Sequence, residues 1–199
     1  MKQTFRDLLI DYGLEGLQDG VVQKEIEFTF YVHMKDLSEL ENAPYKEKHE
    51  QWKLPIESDG NKRLRIRLTD DRRAELTTKI QRPGVVGWEE ISESIGVPLF
   101  SHLREMSVSG YHKYRYSFPI QGTSLKWEVD VFMNKMGKQH PWVKVDLEVS
   151  DLDMEIPKIP FAFTDFICAD DENMSADDKA TIDSLWNNEW MAIGDSTEK

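Results

Sequence analysis

The chain has 199 residues, 39% of them hydrophobic and 31% charged, which fits one globular domain with appendages and excludes a disordered or fibrous protein. Its 37 acids against 25 bases give a formal net charge of −12, which opposes duplex nucleic acid and anionic membranes as partners. A single cysteine, Cys168, excludes a disulfide framework and reads as a small apolar residue.

The opening MKQTFRDLLIDYGLEG has too short an apolar run and too many acids for a secretory signal, and no later stretch reaches membrane-spanning length, so a cytoplasmic protein is expected. Phe5, Leu8, Leu9 and Tyr12 lie at helical spacing and predict an amphipathic helix within residues 1–22. From Gln23 the period changes to two. Strands are predicted over Lys24–His33, Lys62–Leu68, Glu75–Ile80, Tyr111–Ile120, Ser124–Phe132 and Val143–Val149. Lys46–Lys53, with Lys and Glu interleaved, reads as a solvated loop or a cover over one mouth of the domain, and Trp88–Glu105 as an insertion with helical or loop spacing. Beyond Asp151 the chain is proline-rich and then acidic. Ser175 followed by Asp177 and Asp178 marks a helix start, and Ile182, Leu185, Trp186 and Trp190 give that helix an apolar face for docking. The predicted organisation is a helix at 1–22, a β domain at 23–167 and an acidic helix and tail at 168–199.

Each predicted strand carries charge on one face only. Glu25, Glu27 and Thr29 oppose Ile26, Phe28 and Phe30, and Arg63, Arg65 and Arg67 oppose Leu64, Ile66 and Leu68. The later strands present Glu75, Thr77 and Lys79; Lys113, Arg115 and Ser117; Lys126, Glu128 and Asp130; and Lys144, Asp146 and Glu148. An antiparallel sheet with one wet face produces this alternation, and so does a barrel with its charged face inward. Periodicity alone does not choose between them. The five histidines, His33, His49, His102, His112 and His140, lack a spaced partner and receive no role.

The wording of the strands is more specific. Glu25-Ile26-Glu27 resembles the Glu-x-Glu-x-Lys signature of the CYTH or triphosphate tunnel metalloenzyme superfamily. Leu64-Arg65-Ile66-Arg67 is similar to its paired arginines, and Leu76-Thr77-Thr78-Lys79 to its Leu-Thr-x-Lys strand. Lys113-Tyr114-Arg115 resembles its Lys-x-Arg strand, Trp127 to Phe132 its Glu-x-Asp-Val-Phe strand, and Asp146-Leu147-Glu148 its late acidic pair. The resemblance covers roughly residues 23–167. It departs from the family at Thr29, where a lysine is expected, and at Asp146, which stands for a glutamate.

The resemblance implies an α+β, mainly antiparallel fold closed as an eight-stranded tunnel barrel with peripheral helices. It implies phosphate contacts from Arg65, Arg67, Lys79, Lys113 and Arg115. Mg²⁺ or Mn²⁺ would be held by Glu25, Glu27, Asp146 and Glu148, with Glu128 and Asp130. Glu27, Lys79 and Glu148 are the expected catalytic residues, in metal-dependent hydrolysis of an inorganic, nucleoside or other organic triphosphate. Noncatalytic sequestration of a nucleotide or phosphorylated ligand, and a class IV type adenylate cyclase, are the alternatives.

Overall fold

Alternating apolar and charged residues produce antiparallel strands at β1 (Gln23–His33), β2 (Tyr45–Lys53), β3 (Lys62–Thr69), β4 (Arg73–Ile80), β5 (Trp88–Ile95), β6 (Ser109–Pro119), β7 (Lys126–Met133), β8 (Trp142–Val149) and β9 (Asp165–Cys168). Among the described residues two α-helices accompany them, α1 (Val97–Glu105) and α2 (Ala176–Leu185). The computed structural model describes residues 23–55, 60–83, 87–134, 136–149, 156–169 and 173–186, and of residues 23–25 the backbone alone. The helix expected within 1–22 lies outside the described residues, as does Trp190.

The strands form one sheet in the order β5-β4-β3-β2-β6-β7-β8-β1-β9. The free edge of β1 is shared between two partners. Gln23 to Glu25 pair with Trp88 to Glu90 of β5, whereas Phe30 to His33 pair with β9. The expected antiparallel α+β architecture is present. The expected barrel is not a continuous cylinder: β1 is zipped to β8 over eight residue pairs, from Ile26↔Val149 to His33↔Trp142, but to β5 over three.

Two segments differ from the sequence reading. Lys46–Lys53 is not a loop but most of β2, a central strand paired with β3 and β6. Both faces of β2 are polar, which hides its period. Its outward Lys46 lies over the Tyr114 and Tyr116 rings, Lys48 meets Asp71, and Glu50 accepts from Trp52 and Arg104. The insertion expected at Trp88–Glu105 is β5 followed by α1, joined at Gly96 with Pro98 in the first turn of the helix.

The apolar faces point away from the sheet's charged face and are covered from outside. Phe100 and Leu103 of α1 seal Leu64, Ile66, Leu68 and Leu76. They are 1% and 3% exposed, and each such burial contributes about 1.5–3 kcal/mol. A second core joins Phe30, Val32, Trp127, Val129, Val143, Val145 and Leu147 to Leu40 and Phe161. Gly110 is required by close approach, since a Cβ there would fall 2.2 Å from the Trp52 ring.

Ser175 caps α2 by accepting from the Asp178 amide at 3.0 Å, with Asp177 and Asp178 in the first turn. Ile182, Leu185 and Trp186 then pack beside Tyr31, Tyr111, Phe132 and Ile167. The docking expected of this helix is present for those three residues. Among the described residues, no helix is long and apolar enough to cross a membrane.

Candidate functional site

The charged strand faces converge on a cavity of about 810 Å³. Among the described residues ten Lys and Arg side chains and eight carboxylates line it, an excess of cations inside a chain of net charge −12. Every expected site residue with a described side chain lies on this lining: Glu27, Arg65, Arg67, Lys79, Lys113, Arg115, Glu128, Asp130, Asp146 and Glu148. The backbone of Glu25 pairs with Trp88, and its side chain lies outside the described residues.

The wall made by β6, β7 and β8 is the more deeply buried. Asp130, 1% exposed, takes two bonds of 2.8 Å from Arg115 and a third from Lys113. Burial opposes its ionisation, but Arg115 and then Lys113 hold its carboxyl well below the usual carboxylate range. Glu128 is bonded to Arg115 and, at 2.5 Å, to Lys126. Lys113 is pushed down to about 7, by burial first and then by the Arg115 and Lys144 charges, against the pull of Asp130. On β8, Lys144 reaches Asp146 at 2.5 Å and approaches Glu27 at 3.9 Å. Burial disfavours its charge, and those acids still raise it. Thr29 donates to Asp146 at 2.8 Å. An ammonium thus stands beside residue 29 although that residue is not lysine.

The opposite wall, β3, β4 and β5, is more accessible. Arg67 contacts Glu75 at 2.7 Å, and Lys79 contacts Glu90 at 2.9 Å. Arg65 approaches Glu90 only to 3.4 Å, and its buried Nε has no hydrogen-bond partner among the described residues. The Arg63 guanidinium lies 4.3 Å from the centre of the Trp88 ring.

Glu27 and Glu148 face each other in register across β1 and β8. The Glu148 carboxyl is raised, by lost hydration first and then by the Glu128 and Glu27 charges, although the residue is exposed at the cavity edge. Like charges brought together in this way favour a bound cation. Among the described residues no group of three acids, histidines or cysteines is close enough to form a ready-made cation site. Glu128, Asp130 and Asp146 are each held by a lysine or arginine.

Several lining residues escaped the sequence reading, among them His49 and Gln51 on β2 and Glu90 on β5. His49 is not at the surface but 1% exposed, and burial followed by Lys113, Arg115 and Arg67 pushes its imidazole far down. The period-two placement of Glu47, His49, Gln51 and Lys53 was the available signal, masked by the charges alternating with it.

No family model matches the chain, and no curated protein does. Two crystal structures are similar to it, one of the hypothetical protein NE1496 and one of the inorganic triphosphatase NE1496. Their identities are 23% and 22%, each with a TM-score of 0.46, over 79% and 83% of this chain and 96% and 94% of theirs. Through six ordered motifs, each on a strand that lines one cavity, the chain resembles the CYTH or triphosphate tunnel metalloenzyme superfamily.

Proposed function

We propose that the sheet wraps as a tunnel in which a triphosphate is bound and hydrolysed with the help of Mg²⁺ or Mn²⁺. The observation that carries this reading is a cavity lining with more cations than carboxylates within an acidic protein, because buried cations left over from internal pairing are costly unless a further anion meets them. Arg65 and Arg67 grip phosphate oxygens with their planar forks, while Lys79 and Lys113 act as point charges. Arg115, already bonded to Asp130 and Glu128, adds positive potential from beneath. Glu27 and Glu148 are the carboxylates with the chemistry to hold the divalent ion, which when bound would polarise a phosphoryl oxygen. One of these carboxylates would accept a hydrogen bond from the attacking water and orient it in line with the terminal phosphoryl group.

Sequestration without turnover is the second reading, and Thr29 is the observation that favours it, since a family cation is missing there. Lys144 favours hydrolysis instead, because its ammonium lies at Asp146, the partner of Thr29. A class IV type cyclase would use the same cavity and is separated by its product. The test is phosphate release from inorganic triphosphate and nucleoside triphosphates with Mg²⁺ or Mn²⁺, with cyclic nucleotide detection in parallel. Glu27→Gln and Glu148→Gln are expected to lower turnover at least about a hundredfold, roughly the effect of removing one transition-state contact. Binding without product across both metals would leave sequestration, and undiminished turnover in both variants would remove these carboxylates from the mechanism.

A further inference from the structure

The cations of the cavity lining are not equally spent. Eight of the ten ion-pair with a carboxylate among the described residues, and the two that do not are Lys53 and Arg63. These two are also neighbours in the fold. Lys53, the last residue of β2, pairs in register with Arg65, and Arg63 precedes Arg65 by two residues on the same face of β3. Both residues are exposed, so they stand at a mouth of the cavity and not deep in its wall.

The rest of the rim is different. Lys53 pairs on its other side with Ser109, and two residues further along β6 comes Tyr111, which Trp186 of α2 meets edge-on together with Phe132, at 5.7 and 5.0 Å between ring centres. One side of this mouth is therefore aromatic and covered, whereas the other is cationic and exposed. At the opposite end of the same strands, Arg73 is bonded to Glu47 and Arg67 to Glu75, so the charge there is closed in pairs.

Arg63 is also held in place for an anion. Its guanidinium lies 4.3 Å from the centre of the Trp88 ring, a contact that restricts the side chain and leaves its N–H donors without a protein acceptor among the described residues. An anion approaching a chain of net charge −12 is repelled at a distance. A cation already bonded to a carboxylate does little to offset that repulsion, because the two fields cancel within a few ångströms. The unpaired cations at the rim project furthest.

We propose that this mouth is the port by which the anionic ligand enters, with Lys53 and Arg63 as a capturing pair that draws the triphosphate in and passes it to Arg65, the neighbour of both. This rests on the triphosphate reading above. The pair acts on the rate of association, and the deeper groups hold the anion once it is bound.

Stopped-flow mixing of the full chain and Mg²⁺ with a bis-methylene analogue of inorganic triphosphate, read by tryptophan fluorescence, tests the port. In wild type the association rate is expected to fall about threefold or more as salt is raised from about 0.02 to about 0.3 M, because the port attracts the probe where the whole chain repels it. Lys53→Glu and Arg63→Glu are each expected to slow association about threefold to tenfold and to flatten that salt dependence, with dissociation changed by less than about twofold. Arg72→Glu makes the same change of charge in the β3–β4 turn at the opposite end of the strands, where the Arg72 side chain is 74% exposed. It is expected to slow association by less than about twofold. A wild-type rate that rises or stays level with salt overturns the port, whether or not the variants fold. Equal slowing by Arg72→Glu does the same, since total charge then sets the rate. So does faster dissociation at an unchanged association rate, which would make Lys53 and Arg63 part of the bound site instead. In each of these cases the triphosphate reading stands. Failure of the probe to bind wild type removes that reading and the port with it.

Discussion

The two walls of the cavity use the same residue types in opposite ways. On β6, β7 and β8, the charges are buried and spent on one another: Asp130 takes bonds from Arg115 and Lys113, and Lys144 is committed to Asp146. On β3, β4 and β5, Arg65 and Arg67 remain 24% and 19% exposed, and Arg65 holds Glu90 only at 3.4 Å. The first wall sets the shape and potential of the site. The second has, at Arg65, a cation that a ligand could claim without tearing the fold, since so long a pair contributes little to stability.

The sharpest way to break this contrast is at Asp130. Asp130→Ala leaves Arg115 and Lys113 facing each other in a buried place, and a loss of about 3–5 kcal/mol of stability is expected, read from denaturant unfolding. A change under about 1 kcal/mol would put this wall on a par with surface ion pairs.

Arg65→Ala and Arg67→Ala are the complementary probes. Each is expected to weaken triphosphate binding about tenfold to a hundredfold, the worth of charge-assisted hydrogen bonds of about 1.5–3 kcal/mol, with little change in melting temperature. Equal losses of stability and affinity at these positions would erase the distinction between the walls.

The smallest effect is a pH dependence. Lys113 is pushed down to about 7 among Arg115, Lys144, Asp130 and the neutral His49. Its folded-state value is below that of an exposed lysine, so the fold is penalised when Lys113 must stay charged at low pH. That penalty fades as pH rises through about 7, where the ammonium is lost from the site. Stability should therefore rise from pH 6 to 8 while anion affinity falls by a few fold, and Lys113→Met should flatten both trends relative to wild type. Urea unfolding and calorimetric titration across that range give the two slopes. Parallel slopes in wild type and variant would show that Lys113 does not titrate there.

The charged wall residues were readable because their strands alternate. Arg63-Leu64-Arg65-Ile66-Arg67-Leu68 states its two faces residue by residue, and β3 folds accordingly. His49 and Gln51 were not readable, for a physical reason. On β2 the outward Lys46, Lys48 and Glu50 are as polar as the inward Glu47, His49 and Gln51, because aromatic faces and surface ion pairs satisfy the outer set. Without an apolar period, nothing in the sequence separates that strand from a solvated loop. At β9 the limit is length, since Asp165–Cys168 has too few residues for a period to show. Glu90 was missed because β5 has little buried on either face.

The short ladder between β1 and β5 has a mechanical consequence. On one side of the cavity the walls are joined through nine pairs of β2 with β6, but on the other β5 meets β1 over three. Separating those three rungs breaks only a short backbone ladder and frees the edge of β5, so the sheet has a preferred line of parting down one side. Under the triphosphate reading proposed above, an anion meeting Arg65 and Lys79 on one bank and Lys144 and Lys113 on the other would act as a clasp across that line, and its departure would require the clasp to be undone on one bank first.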